Sequence, residues 1–236
     1  MNPILKPFVL PILKRLNKPK SMIGGIERCA KRGINPTTII DIGAAEGNWT
    51  REVLPYWKNS NYLLFEPLPQ RAEQLDALAA QYPNVRIVKA GAGNKIGTVD
   101  FFITDDLDGS GIADNGTNAQ KVTIPVTTID DEIAKHQLKG SYLVKLDTHG
   151  YEVPILEGAT KTLANACLVI IECYGLQIAP NSLLMWEMCA YMDKLGFRMV
   201  DLVDTLQRAK DGLFWQCDVF FEPKTKPYFT HNTYNY

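Results

Sequence analysis

The chain has 236 residues, a formal net charge of −1, 46% hydrophobic residues and 22% charged residues. That length allows one large α/β domain or two small ones, and the balance of apolar and charged residues is that of an ordinary globular protein. The near-neutral charge gives no support for nucleic acid as a partner, and five scattered cysteines (Cys29, Cys167, Cys173, Cys189, Cys217) without a C-x-x-C spacing argue against a disulfide frame or a zinc site and for reduced thiols in a cytoplasmic protein.

Residues 1–26 carry five basic residues and no acid. The apolar stretch 3–13 contains Pro3, Pro7 and Pro11, so it is too short and too broken to span a bilayer. No small-residue cleavage site follows it. Residues 1–36 therefore read as an arm and a helix. The arm makes at most peripheral contact with a membrane surface, or packs on its own domain, which is the simpler reading. Residues 21–32 look helical, with Met22, Ile26, Cys29 and Ala30 on one face and Gly33 as the stop.

An alternation of strands and helices then begins. Strands are expected at 38–42, 62–65, 85–89, 142–146, 167–172, 197–203 and 214–222, with helices near 48–56, 69–81, 152–164 and 182–195. In the last helix Leu184, Met188, Tyr191 and Leu195 form one core stripe. Such alternation implies a mostly parallel sheet with helices on both faces. Two features modify it. Residues 98–103 and 121–127 alternate like exposed strands around the Asp-, Gly-, Ser- and Asn-rich stretch 105–118, which predicts a small β insertion with a mobile loop beside the site. The last two strands are joined by a short loop, so they must be antiparallel. Residues 37–222 form the domain and 223–236 a tail.

The most informative run is Asp41-Ile42-Gly43-Ala44-Ala45-Glu46-Gly47-Asn48, at the end of the first expected strand. A tight turn of small residues before a helix lets a ligand approach the backbone at the carboxyl ends of an open sheet. The spacing is D-x-G-x-x-x-G, not the G-x-G-x-x-G of a dinucleotide fold. A carboxylate at Asp41 repels a pyrophosphate and favours an ammonium or sulfonium. S-adenosylmethionine carries both cations and no phosphate. Glu66 ends the next strand, where an acid can accept both ribose hydroxyls.

A second constellation is Lys145-Leu146-Asp147-Thr148-His149-Gly150-Tyr151-Glu152, another strand end, turn and helix start. The K-x-D-x-x-G-x-E run, followed by Leu156-Glu157-Gly158-Ala159, resembles the FkbM-type methyltransferases. The resemblance extends to the Asp41–Gly47 run, to Phe65-Glu66-Pro67, to Val126-Thr127-Thr128-Ile129-Asp130-Asp131 and to Ile170-Ile171-Glu172, so it spans about residues 37–222. It implies a Rossmann-like class I methyltransferase fold, a mostly parallel seven-stranded sheet with an antiparallel terminal hairpin. It also implies S-adenosylmethionine-dependent O-methylation of hydroxyls on sugars, glycolipids and polyketides.

The expected roles follow. Asp41, Gly43, Ala44, Ala45, Gly47, Asn48, Glu66, Ala92 and Asp147 hold the cofactor. His149 is the first candidate for the base, because its ordinary pKa lies near neutrality. Asp147 is the second, or it orients Lys145 or His149. Ser110, Glu152, Glu172 and Tyr174 border the acceptor. Asp147, Glu152 and Glu172 are the acids able to hold a divalent cation, a reading not favoured over a metal-free site. The rival classes are a non-catalytic adenosylmethionine-binding module and a nicotinamide oxidoreductase, the latter disfavoured by the missing glycine and the terminal hairpin.

Overall fold

The five residues of β1 (Thr38–Ile42) are all buried, polar Thr38 and Asp41 included, because this strand lies near the middle of a sheet covered on both faces. The computed structural model describes residues 20–112, 119–231 and 233–234. The readings of the N-terminal arm and of the second half of the 105–118 loop fall largely outside the described residues.

The chain enters through α1 (Met22–Lys31), whose N-terminus is capped by the Ser21 hydroxyl. β1 is followed by α2 (Asn48–Val53), β2 (Asn61–Phe65), a 3-10 turn at Pro69–Arg71, α3 (Ala72–Gln81) and β3 (Val85–Val88). The insertion contributes β4 (Gly91–Ala92), β5 (Gly97–Ile103) and β6 (Gln120–Thr127). Then come α4 (Ile129–Lys135), β7 (Tyr142–Leu146), α5 (Glu152–Glu157), α6 (Thr160–Leu163), β8 (Ala166–Tyr174), α7 (Met185–Lys194), β9 (Phe197–Gln207) and β10 (Phe214–Pro223).

Seven strands form one sheet in the order β3-β2-β1-β7-β8-β10-β9. The first five are parallel, and β10 runs antiparallel to both β8 and β9. This is the expected sheet with its antiparallel hairpin. Alternate residues feed two cores. Ile40, Ile42, Val144, Leu146, Val169 and Ile171 meet Ile155, Leu156, Met188 and Met192 on one face. Ile39, Leu64, Leu143, Leu168 and Ile170 meet Ile26, Cys29, Val53, Leu75 and Leu78 on the other. The insertion is a separate three-stranded sheet, β4-β6-β5. The five cysteines are free thiols. Among the described residues no helix is long and apolar enough to cross a membrane.

The sequence reading needs three corrections. The expected 152–164 helix is two helices, parted at Gly158, where the backbone lies so close to the Gly93 carbonyl that a Cβ would sit 1.9 Å from its oxygen. The seven-residue α4, capped by Thr128 and with Asp130, Asp131 and Glu132 in its first turn, was not expected as a helix. In α7 the buried stripe is Met188 and Met192, while Leu195 is exposed at the C-cap.

One contact fixes how the strand ends meet. At Gly43, φ is +75° and a Cβ would stand 2.0 Å from the Asp147 carbonyl oxygen. The Asp147 N–H in turn donates to the Ile42 carbonyl at 3.1 Å. Gly43→Ala is expected to lower the unfolding free energy by at least about 2 kcal/mol, measured by urea denaturation. Gly33→Ala, where φ is +85° but nothing lies within 4 Å, costs only the conformational part, about 1 kcal/mol. Equal losses would show that the close approach is unimportant.

Candidate active site

A cavity of about 420 Å³ opens over the carboxyl ends of the parallel strands. Gly43, Ala45, Phe65 and Glu66 line one end, and Asp147, His149, Glu172 and Gln216 the other. The insertion supplies Ala92, Val99, Phe101, Ile124 and Val126, so it forms a wall of the site. Leu107, Asp108, Ser110 and Ile112 come from the first part of the loop joining β5 to β6.

Glu66 is buried, and its carboxylate accepts from the Ala45 N–H at 3.0 Å and the Leu68 N–H at 2.9 Å. Burial pushes its pKa up, and the two N–H groups oppose the shift. Each oxygen keeps a second acceptor position, so a diol in the cavity has an anchored acceptor. Arg71, also buried, pairs with Glu46 and with Asp108 of the loop. Within that loop, the Ser110 hydroxyl accepts from the Thr104 N–H at 3.0 Å.

Asp41 corrects the sequence reading. It is fully buried and stands outside the cavity wall. One oxygen accepts from the Thr50 hydroxyl at 2.7 Å, and the other lies 3.6 Å from the Lys145 ammonium without a hydrogen-bond partner. Burial raises the Asp41 carboxyl, while Lys145 opposes it. Lys145 is buried as well and donates to Asp147 at 2.9 Å, with its ammonium 5.5 Å from the centre of the Trp49 ring. Burial alone would lower the Lys145 pKa, but Asp147 and Asp41 overcome it and hold the lysine charged. Asp41 and Lys145 are thus partners beneath the site, neither touching the cavity.

At the far end His149 has φ of 52°, a turn conformation that aims its ring inward. Its Nδ1 lies 3.2 Å from the Ser110 carbonyl oxygen. A carbonyl only accepts, so Nδ1 carries a hydrogen, and the ring turns Nε2 toward the two acids. Nε2 stands 3.6 Å from Asp147 Oδ1 and 3.6 Å from Glu172 Oε2. Burial raises Asp147, but Lys145 and His149 prevail and hold it below the usual carboxylate range. Glu172 is pushed up to about 9, by burial and then by the Asp147 charge. The Tyr174 hydroxyl and the Gln216 amide both donate to Glu172.

The expected residues thus divide. Gly43, Ala45, Glu66, Ala92, Ser110, Asp147, His149 and Glu172 line the cavity, whereas Asp41, Ala44, Gly47, Asn48, Lys145, Glu152 and Tyr174 do not. Glu152 turns into its own loop, where it accepts from the Gly150 N–H at 2.9 Å and the Thr148 hydroxyl at 3.1 Å, so it borders neither an acceptor nor a cation. Tyr174 is buried edge-on between His149 and Trp215 rather than free to stack. Arg71 and Gln216 were missed. Arg71 follows the Glu66-Pro67 strand end by five residues without a motif of its own. Gln216 alternates with the core residues Cys217 and Val219 on a strand whose pairing to β8 the sequence does not state.

The family model of the methyltransferase FkbM domain matches residues 41–199. A hexuronic acid methyltransferase, AglP of Haloferax volcanii, is 27% identical over 121 residues, 49% of this chain and 48% of that protein. The chain therefore matches about half the length of that relative. The crystal structure of an FkbM methyltransferase from Methylobacillus flagellatus KT superposes with a TM-score of 0.50 at 14% identity, over 78% of this chain and 43% of that one. At that identity the likeness shows the shared fold.

Two outcomes test the electrostatics. Lys145→Met leaves Asp41 buried without its cation and is expected to cost about 3–5 kcal/mol of stability; adding Asp41→Asn should restore most of it, both measured by urea denaturation. Glu172 keeps its proton in the folded protein up to about 9, whereas the unfolded chain releases it near 4.5. The unfolded state then binds fewer protons, so this group disfavours folding increasingly as pH rises through that window. Glu172→Gln, in the presence of a chelator, should gain stability over the parent at pH of about 8 but not at pH of about 4.

Proposed function

The chain belongs to the FkbM methyltransferase family, and from that membership we propose that it is an S-adenosylmethionine-dependent O-methyltransferase acting on a hydroxyl of a sugar, glycan, glycolipid or polyketide-type compound. The observation that carries this reading is the charge of the cavity wall. Its acids Glu66 and Asp147 face a space where Arg71, the one lysine or arginine lining it among the described residues, is already bridged to Glu46 and Asp108. A pyrophosphate meets repulsion there; a sulfonium with an ammonium does not. The anchored Glu66 carboxylate fits a ribose diol, and the backbone turn at Gly43 and Ala45 fits close approach by a ligand. The likeness to a hexuronic acid methyltransferase supports a sugar among the acceptors.

The cofactor supplies a methyl carbon on a positively charged sulfur; attack by the acceptor oxygen forms the O–C bond as the C–S electron pair returns to sulfur. The protein must hold the two reactants in line at contact distance, which contributes several kcal/mol. It must also draw off the hydroxyl proton. The group formed by His149, Asp147 and Glu172, at the opposite end of the cavity from Glu66, provides for that step.

Glu66→Gln is expected to weaken binding of S-adenosylhomocysteine by about tenfold or more, read by calorimetry. His149→Ala should leave that affinity unchanged and lower kcat by at least about a hundredfold, read with radiolabelled cofactor and a panel of sugar and polyketide hydroxyls. Tight binding of NAD in place of S-adenosylhomocysteine would overturn the reading, and binding without transfer to any acceptor would favour a non-catalytic module.

A further inference from the structure

Asp147, His149 and Glu172 each offer a ligand atom, and these atoms all lie within 4.8 Å of one another. All three side chains line the cavity, so a small ion reaches them from solvent. Each is also held from behind. Lys145 donates to Oδ2 of Asp147, leaving Oδ1 facing inward. Tyr174 and Gln216 donate to the two oxygens of Glu172. The Ser110 carbonyl takes the hydrogen of His149 Nδ1, so the ring meets the gap through Nε2. Nε2 and the two carboxylates thus converge on one gap at the cavity wall. Their 3.6 Å separations are too long for hydrogen bonds.

We propose that this gap is a binding site for one hard divalent cation, Mg²⁺ or Mn²⁺, held by Asp147 Oδ1, Glu172 Oε2 and His149 Nε2. Two carboxylates and one imidazole suit such an ion, and coordination positions remain for water and an acceptor hydroxyl. The bonds from Lys145, Tyr174, Gln216 and Ser110 are the outer contacts that orient metal ligands. The inference rests on the O-methyl transfer reading and specifies how the hydroxyl is activated. A cation there lowers the pKa of the hydroxyl brought to it, the proton passes to water at the cavity mouth, and the O–C bond forms as the C–S bond breaks. His149 is then a ligand rather than the base. The set also differs from the acids read from sequence, with His149 in the place of Glu152.

The test titrates the full chain, stripped with EDTA, with MnCl₂, following free Mn²⁺ by its EPR signal with and without S-adenosylhomocysteine. A single bound Mn²⁺ per chain is expected, competed by Mg²⁺. His149→Asn and Glu172→Gln should each weaken it by at least tenfold. Gln216→Leu, which removes only an orienting bond, should weaken it by about tenfold, and thermal melts of all three verify folding. Absence of Mn²⁺ binding by the parent, or binding that none of the three substitutions moves, overturns the proposal. Retained S-adenosylhomocysteine binding in that case overturns this inference alone; loss of both overturns the O-methyl transfer reading as well.

Discussion

A lysine ammonium buried between two carboxylates joins the central strands where they end. Parallel pairing in register sets Asp41 of β1 beside Lys145 of β7, and the lysine reaches on to Asp147 two residues later. Burying an isolated charge there would cost several kcal/mol, so each member depends on the others. The Thr50 hydroxyl and the Trp49 ring complete the enclosure from α2. With Asp147 fixed, its carbonyl packs on the backbone of Gly43, and the turn that carries His149 starts from a defined point. The acid that most strongly suggested a ligand in the sequence is therefore a foundation of the site and not its wall.

The wall is assembled from parts that the topology brings together over long separations. Glu66 is locked by the N–H groups of Ala45 and Leu68, one from each side of the crevice. Arg71 ties Glu46 to Asp108, which connects the first turn of the domain to the loop after β5. The same loop contributes the Ser110 carbonyl that sets the His149 tautomer. The insertion thus acts on the site twice, through apolar side chains of β5 and β6 and through a backbone oxygen.

The elements legible in the sequence were those with a local cause. The buried run of β1, the motif at the end of β7 and the short link between β9 and β10 each encode their structure within a few residues, and the sheet follows from them. The errors in the 152–164 helix and in α4 have different causes. The helix parts at Gly158, where Gly93 lies against the backbone, and nothing near Gly158 in sequence announces that neighbour. The seven-residue α4 is too short for a periodic signal, although its Thr128 cap and three leading acids were visible. At the site, residue types at strand ends were readable, but side-chain direction was not. Glu152 looks like a ligand by spacing and spends its carboxylate on the Gly150 N–H. Ser110 was expected to border the acceptor; it lines the cavity and meets His149 through its carbonyl, which any residue carries.

The acids beside His149 crowd one another, and the fold answers by holding protons on some of them. Asp147 lies beside Glu172, and Asp218 of β10 is paired in register with Glu172. Burial and Asp147 together push Asp218 up to about 7 and Glu172 to about 9. Lys145, shared between Asp41 and Asp147, opposes the Asp218 shift without overcoming it. A core built only for stability would replace such acids with apolar residues of similar volume, often at a gain. Asp147 and Glu172 stand instead on the cavity wall, where a positive species would be favoured. In the proposed reading a sulfonium cofactor would face Glu66, and the proposed cation would sit among Asp147, His149 and Glu172. A phosphate-bearing ligand would make the same imbalance worse.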